Sequence, residues 1–205
     1  MKSLEQIVMH ADGPARFAAN YLEYVAGLLT ALDTAAIARF IDELEAARAS
    51  NNTIFIVGNG GSAATASHMA NDFGLGSATG DAAPFRALAL TDNVAVMTAI
   101  ANDASYEQMF VQQLRVHYRA GDKLVAISAS GNSPNVVAAA KWVREHGGAV
   151  LGMVGFDGGA LKDLSTVTVH VPTPRGEYGP VEDVHMVVDH LVTAWLRWRV
   201  QAATA

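Results

Sequence analysis

The chain has 205 residues, 51% of them hydrophobic, which suits one domain with a sizeable core and argues against disorder. A formal net charge of −6 with no basic block argues against nucleic acid as the main partner, because neutralising phosphates needs clustered Lys and Arg. The absence of cysteine excludes disulfides, thiolate metal sites and cysteine nucleophiles. No signal-like N-terminus or membrane-length apolar run is present, so the expectation is a soluble cytoplasmic protein with no membrane partner.

Taken in order, residues 3–30 place Leu4, Ile7, Val8, Phe17, Tyr21, Leu22, Val25, Leu28 and Leu29 at near-helical spacing, with a break expected near Gly13-Pro14. Residues 34–48 form a second predicted helix, capped by Asp33 or Thr34, with Ile37, Phe40, Ile41 and Leu44 on one stripe. Two helices ahead of the first strand exceed what a sheet needs, and their expected use is subunit packing. Residues 54–57 are an apolar, β-branched run suited to a buried parallel strand. Gly58-Asn59-Gly60-Gly61-Ser62 follows as a turn with little side-chain bulk, and an Ala-rich helix is expected over 63–73. Residues 74–84 read as a loop, 87–90 as a second strand, 92–101 as a helix broken by Asn102-Asp103, and 106–118 as another helix.

The opening pattern then returns. Residues 123–127 are an apolar strand, 128–133 (Ser-Ala-Ser-Gly-Asn-Ser) a hydroxylated turn, and 134–146 a helix with proline in its first turn. A strand over 149–154, a loop over 155–159, a strand over 167–171 and a long helix over 180–200 complete the chain. Alternating strands and helices with short links give an α/β three-layer sandwich with a parallel sheet.

The chemistry concentrates at the two turns. A Gly-rich turn between a strand and a helix N-terminus is an anion site, because backbone N–H groups and the helix dipole both favour negative charge there. Ser62 adds a hydroxyl donor to the first turn, and Ser128, Ser130 and Ser133 add three to the second. Two such turns at strand C-termini can converge on one phosphate, the place where open α/β sheets bind ligands. His68 and Asp72 are four apart and share a helix face, a pair able to bind metal or move protons. A lone His/Asp pair is commonly just a solvated face; the adjoining Gly-rich loop favours function. On the last helix, His185 and His190 are five apart, and spacing does not choose between them.

Gly58-Asn59-Gly60-Gly61-Ser62, His68, the run 128–133 and the terminal Glu182-Asp183-Val184-His185 helix together resemble the sugar isomerase (SIS) domain family. Within it they are similar to the sedoheptulose 7-phosphate, or phosphoheptose, isomerases, over nearly the whole chain to about Trp198. The likeness extends to Ala99-Ile100-Ala101-Asn102-Asp103 and Asp157-Gly158-Gly159.

The resemblance implies a five-stranded parallel, flavodoxin-like sheet with an N-terminal helical extension. On it, residues 1–50 serve oligomerisation and 51–205 form the SIS unit. It implies a homotetramer with sites between subunits, a phosphorylated sugar substrate and a divalent metal, expected to be zinc. Carried over by position, Asp72 would be the base and His190 the acid. Asn59, Gly60, Gly61, Ser62, Asp103, Ser128, Ala129, Ser130, Ser133 and Glu182 would contact substrate, and His68, Asp72, Glu182 and His190 would hold the metal.

The chain departs from the family pattern in several places. Asp72 stands for a Glu, Glu182 for a Gln, Ala129 for a Thr, and Gly76 for an Arg found in many members. Glu182 and His190 are also eight apart, about 12 Å along a straight helix, so sharing a metal requires Glu182 to precede the regular helix or to come from another subunit. Competing readings are a non-catalytic SIS protein that binds a replication initiator or a sugar phosphate, an isomerase of another sugar phosphate, and dinucleotide binding through the G-x-G-x-x-A match at residues 58–63, a weak signal alone.

Overall fold

Alternation along the strands assigns each side chain a face. In β1 (Thr53–Val57), Ile54 and Ile56 point one way and Phe55 the other; in β3 (Lys123–Ser128), Val125 and Ile127 oppose Leu124 and Ala126. All of these are buried, as parallel strands covered on both sides require. The computed structural model describes residues 3–78 and 82–202. Among them, β2 (Arg86–Ala89), β4 (Ala149–Gly155) and β5 (Val167–Val171) join β1 and β3 in one parallel sheet of order β2-β1-β3-β4-β5. That order reverses direction between β1 and β3, which makes their C-terminal ends the switch point of the fold.

One face of the sheet is covered by α2 (Pro14–Thr30), α3 (Thr34–Ala49), α4 (Gly61–Asn71) and α9 (Tyr178–Ala202), whose Leu28, Phe40, Leu44, Met69, Val184 and Val188 join the strand residues in a single core. The other face carries α6 (Met109–His117), α7 (Pro134–Glu145) and α8 (Gly159–Leu164), contributing Phe110, Leu114, Val136, Val143 and Leu161. The helices α1 (Leu4–Met9) and α5 (Val94–Asp103) complete the set; α5 has no buried residue. No single helix among the described residues is long and apolar enough to cross a membrane.

The local signals act where they were expected. The chain breaks between α1 and α2, with Pro14 at the start of α2. Asp33 caps α3 by accepting from Ala35 N and Ala36 N at 2.9 and 3.1 Å, and Asn93 caps α5 through Val96 N. Some boundaries differ. Asn102-Asp103 does not break α5, which runs through Asp103 with the Asn102 amide donating to the Asp103 carboxylate at 2.8 Å. Residues 159–164, of which the sequence reading assigns only 159, to the loop over 155–159, form the short helix α8 after Gly158 in the left-handed region. The helix expected to end at residue 73 passes at Asp72 into a π turn, Asp72–Gly76; the loop expected over 74–84 includes residues 79–81, which lie outside the described residues.

Candidate active site

Both glycine- and serine-rich turns leave the sheet at the switch point, and the helices that follow them lack side-chain caps. Gly60, at φ 55°, is the N-cap of α4 and offers no capping oxygen. Ser133, a good capping residue by type, does not cap α7; its hydroxyl lies 3.1 Å from Ser128 Oγ. The Ser130 hydroxyl is 3.5 Å from the same Ser128 oxygen and accepts from Asn132 N at 3.2 Å. These serines, with Ser62, Asn59, Ala129, Ile127, Tyr178 and Glu182, line a cavity of about 120 Å³. Two helix N-termini with unused side-chain capping positions beside one small hydroxyl-lined hole have the donor chemistry to receive an anion.

Close backbone approach holds this pocket together. A Cβ on Gly61 would run into the Glu182 carboxylate, and one on Gly131 (φ 63°) into the carbonyl of Gly158. The Asn59 and Asn135 amides exchange two hydrogen bonds of 2.8 Å, and the Asn59 carbonyl oxygen also accepts from Tyr106 at 2.9 Å. Much of the Asn59 side chain is therefore spent on tying the first turn to α7. Asn135, fully buried, is a positioning residue that the sequence reading missed; an Asn directly after the first-turn proline was its only local signal. Asp103 is exposed at the end of α5, is not a wall of the pocket, and is not brought to it within this chain.

The second half of the site lies further along the same two helices. His68 and His190 meet with Nε2···Nε2 at 3.0 Å, and Asp72 Oδ2 is 3.5 Å from His68 Nε2. With Asp189 they form a group whose ligand atoms all lie within 4.8 Å of one another, a His/Asp cluster able to hold a metal ion. Tertiary packing thus decides between the two histidines of α9. His190 faces His68, whereas His185 is fully buried, its Nε2 3.4 Å from the Val154 carbonyl.

Glu182 is not in this cluster. It lies within the regular turns of α9, so eight residues hold it about 12 Å from His190, and its carboxylate faces the serine pocket. In its own chain the expected ligand position is therefore not met by Glu182, and Asp189 stands in the cluster instead. Burial, and then the neighbouring Asp183 charge, raise the Glu182 carboxyl above its usual range. Burial and the Asp72 charge push Asp189 up to about 7, against smaller opposing effects of His68 and the Thr193 hydroxyl.

Burial pushes the His185 imidazole down to about 4, outweighing its bond to the Val154 carbonyl. Below pH ~6.5 the unfolded chain binds a proton here that the folded chain refuses, so the stability contribution of this residue is complete above that pH and is lost as pH falls towards 4. The loss approaches about 3 kcal/mol. Asp189, raised rather than lowered, acts with the opposite sign, so the comparison must be made against a variant. In urea titrations at pH 7.5 and 5, His185→Met is expected to lose distinctly less stability on acidification than the parent; equal losses would exclude His185 as the acid-sensitive group.

The comparisons with known proteins agree with this architecture. The SIS domain matches residues 20–155. The chain belongs to the SIS domain family, the α/β class that its sheet order and switch-point pocket define. The phosphoheptose isomerase of Rhodospirillum rubrum is 36% identical over 157 residues, 77% of this chain and 82% of that protein. That of Desulfovibrio desulfuricans is 37% identical over 192 residues, 93% and 85% of the two chains. The solved structure of the phosphoheptose isomerase GmhA from Neisseria gonorrhoeae superposes with a TM-score of 0.78 at 31% identity, covering 89% of this chain and 97% of that one. Within the SIS family, then, this chain's kin are phosphoheptose isomerases.

Proposed function

We infer that the protein is an aldose–ketose isomerase that converts sedoheptulose 7-phosphate to D-glycero-D-manno-heptose 7-phosphate. The observation that carries this reading is the pairing of two sites on the same two helices. α4 bears Ser62 and then His68, with Asp72 just past its end at the start of the π turn; α9 bears Glu182 and then His190, about 12 Å further on. An extended seven-carbon sugar phosphate spans about 9–10 Å from C1 to phosphorus, at ordinary bond lengths. A phosphate among Ser62, Ser128, Ser130 and Ser133 therefore leaves C1 and C2 within reach of the His/Asp cluster. Gly60, Gly61 and Ala129 keep that pocket open to an anion, and Asn59 borders it.

In this reading the anchored phosphate brings the reacting carbons to the catalytic groups. Asp72 removes the proton from C1 of the ketose, giving an enediol. His190, the acid partner, returns a proton, completing transfer to C2, while a second group moves the hydroxyl proton between O1 and O2. His68, Asp72 and His190 have the donor chemistry to hold a divalent metal, zinc by preference, and the buried Asp189 oxygen beside them, without a hydrogen-bond partner among the described residues, supports that fit. Such an ion would supply positive charge where the enediolate oxygen develops.

The same proposal includes a homotetramer, residues 1–50 serving subunit packing and 51–205 forming the SIS unit. Exposed Leu22 on α2, Val94 on α5, and Val187, Leu191, Trp195 and Trp198 on α9 support burial against further copies. Asp103 would reach a site only in such an assembly.

The test is turnover of sedoheptulose 7-phosphate, followed by NMR, with zinc present and after chelation. Formation of the aldoheptose phosphate that falls on chelation is expected. Saturable binding of the sugar phosphate without isomerisation would instead move the protein to the non-catalytic SIS class or to another sugar.

A further inference from the structure

Asp189 is fully buried, yet one of its two oxygens has no role in the fold. Its Oδ1 accepts from Thr193 Oγ1 at 3.4 Å, while Oδ2 has no hydrogen-bond partner among the described residues. An unpaired carboxylate in an interior is costly, and one fixed through its other oxygen is oriented for a ligand. A ligand oxygen of Asp189 lies within 4.8 Å of those of His68, Asp72 and His190.

Two of the ligand separations can be set against a tetrahedral ion. Bonds of about 2.0–2.1 Å to nitrogen and oxygen imply edges of about 3.3–3.4 Å between ligand atoms. The His68–His190 and His68–Asp72 separations of 3.0 and 3.5 Å bracket that value. Residues 189 and 190 diverge by about 100° around α9, so an ion shared by both sits against the helix edge, met by Asp189 from the buried side and His190 from the solvent side. Two carboxylates balance a divalent charge, and two neutral imidazoles complete a borderline-soft set.

We propose that Asp189 is the fourth ligand of the metal centre, closing a two-imidazole, two-carboxylate site within one chain and leaving Glu182 to the serine pocket. This rests on the metal-dependent isomerase reading above.

The experiment is a cobalt(II) titration of the chelator-stripped, full-length protein, read by calorimetry and by the intense visible bands of tetrahedral cobalt. The parent protein is expected to bind one ion per chain with those bands. Asp189→Val should weaken cobalt binding a hundredfold or more and abolish the bands, and Asp189→Asn should weaken it at least tenfold. Glu182→Ala, which removes every ligand atom from that side chain, should bind within twofold of the parent. Metal-free Asp189→Val should melt no lower than the parent, because the unpaired buried carboxylate is gone; this separates lost ligation from lost folding. If Asp189→Val binds cobalt with parental affinity and spectrum while His68→Ala does not bind, the Asp189 assignment falls and the three-residue metal reading stands. If the loss appears only in Glu182→Ala, the fourth ligand is Glu182 from a neighbouring subunit and the assignment also falls. If the parent binds no cobalt or zinc, both readings fall.

Discussion

Asp72→Asn is expected to lower kcat on sedoheptulose 7-phosphate by about 10³-fold at saturating metal, within the usual range of about 10²–10⁴ for a lost general base. The substitution keeps the shape of the side chain. It removes the charge at a half-buried position where Oδ1 accepts from the Asn71 amide at 3.1 Å and Oδ2 faces His68. KM and melting temperature are expected to change little, because no core contact is lost and the phosphate anchors lie elsewhere. Asp72 also opens the π turn, a widened helical geometry that recurs at functional sites. A Cβ placed on Gly76 would sit 3.7 Å from Asp72 Oδ1, so the glycine leaves room beside the carboxylate. Asp72→Glu, one methylene longer, is therefore expected to retain activity within about tenfold of the parent, where a 1 Å misplacement sets the scale of about a hundredfold. Turnover that survives in Asp72→Asn would remove Asp72 as the base.

Gly131→Ala is expected to damage both the fold and the phosphate site. At φ 63° an alanine costs about 1–2 kcal/mol on backbone conformation alone. Its Cβ would also collide with the Gly158 carbonyl, a backbone atom that cannot swing aside. Gly131 N donates to the Ser128 carbonyl and Gly131 O accepts from Leu161 N, both at 2.9 Å, so the serine loop and the start of α8 would have to part together. A loss of about 3 kcal/mol in urea unfolding is expected, with at least tenfold weaker binding of inorganic phosphate by calorimetry. Ser130→Ala, which deletes one hydroxyl and with it the bond from Asn132 N, should weaken phosphate binding by about 1 kcal/mol, roughly fivefold, with a stability loss of no more than about 1 kcal/mol. Parental stability and phosphate affinity in Gly131→Ala would mean the loop is not locked as described.

The parallel sheet was open to inference from sequence because the signals are local and redundant, whereas its flavodoxin-like arrangement followed only from the family resemblance. Apolar runs of strand length are punctuated by Gly, Ser and Pro, and the helices between them carry stripes and caps. Errors fell where the signal is short or contradictory. Helix α8 has six residues and begins on paired glycines. Asn102-Asp103 looks like a break but sits as the last turn of α5. The π turn at Asp72 has no signature in the pattern of residue types.

The sequence by itself determined the α/β class, the two Gly/Ser-rich turns, the serines on them, and the His68/Asp72 face, each resting on neighbours a few residues apart. Only the tertiary structure decided how α9 lies against α4. That contact joins His68 to His190 across 122 positions, turns His185 into the core, directs Glu182 to the serine pocket and brings Asp189 to the His/Asp cluster. The reason is geometric. Helical periodicity says which residues share a face, but the packing of two helices on a common sheet face sets which faces meet, and at which turn.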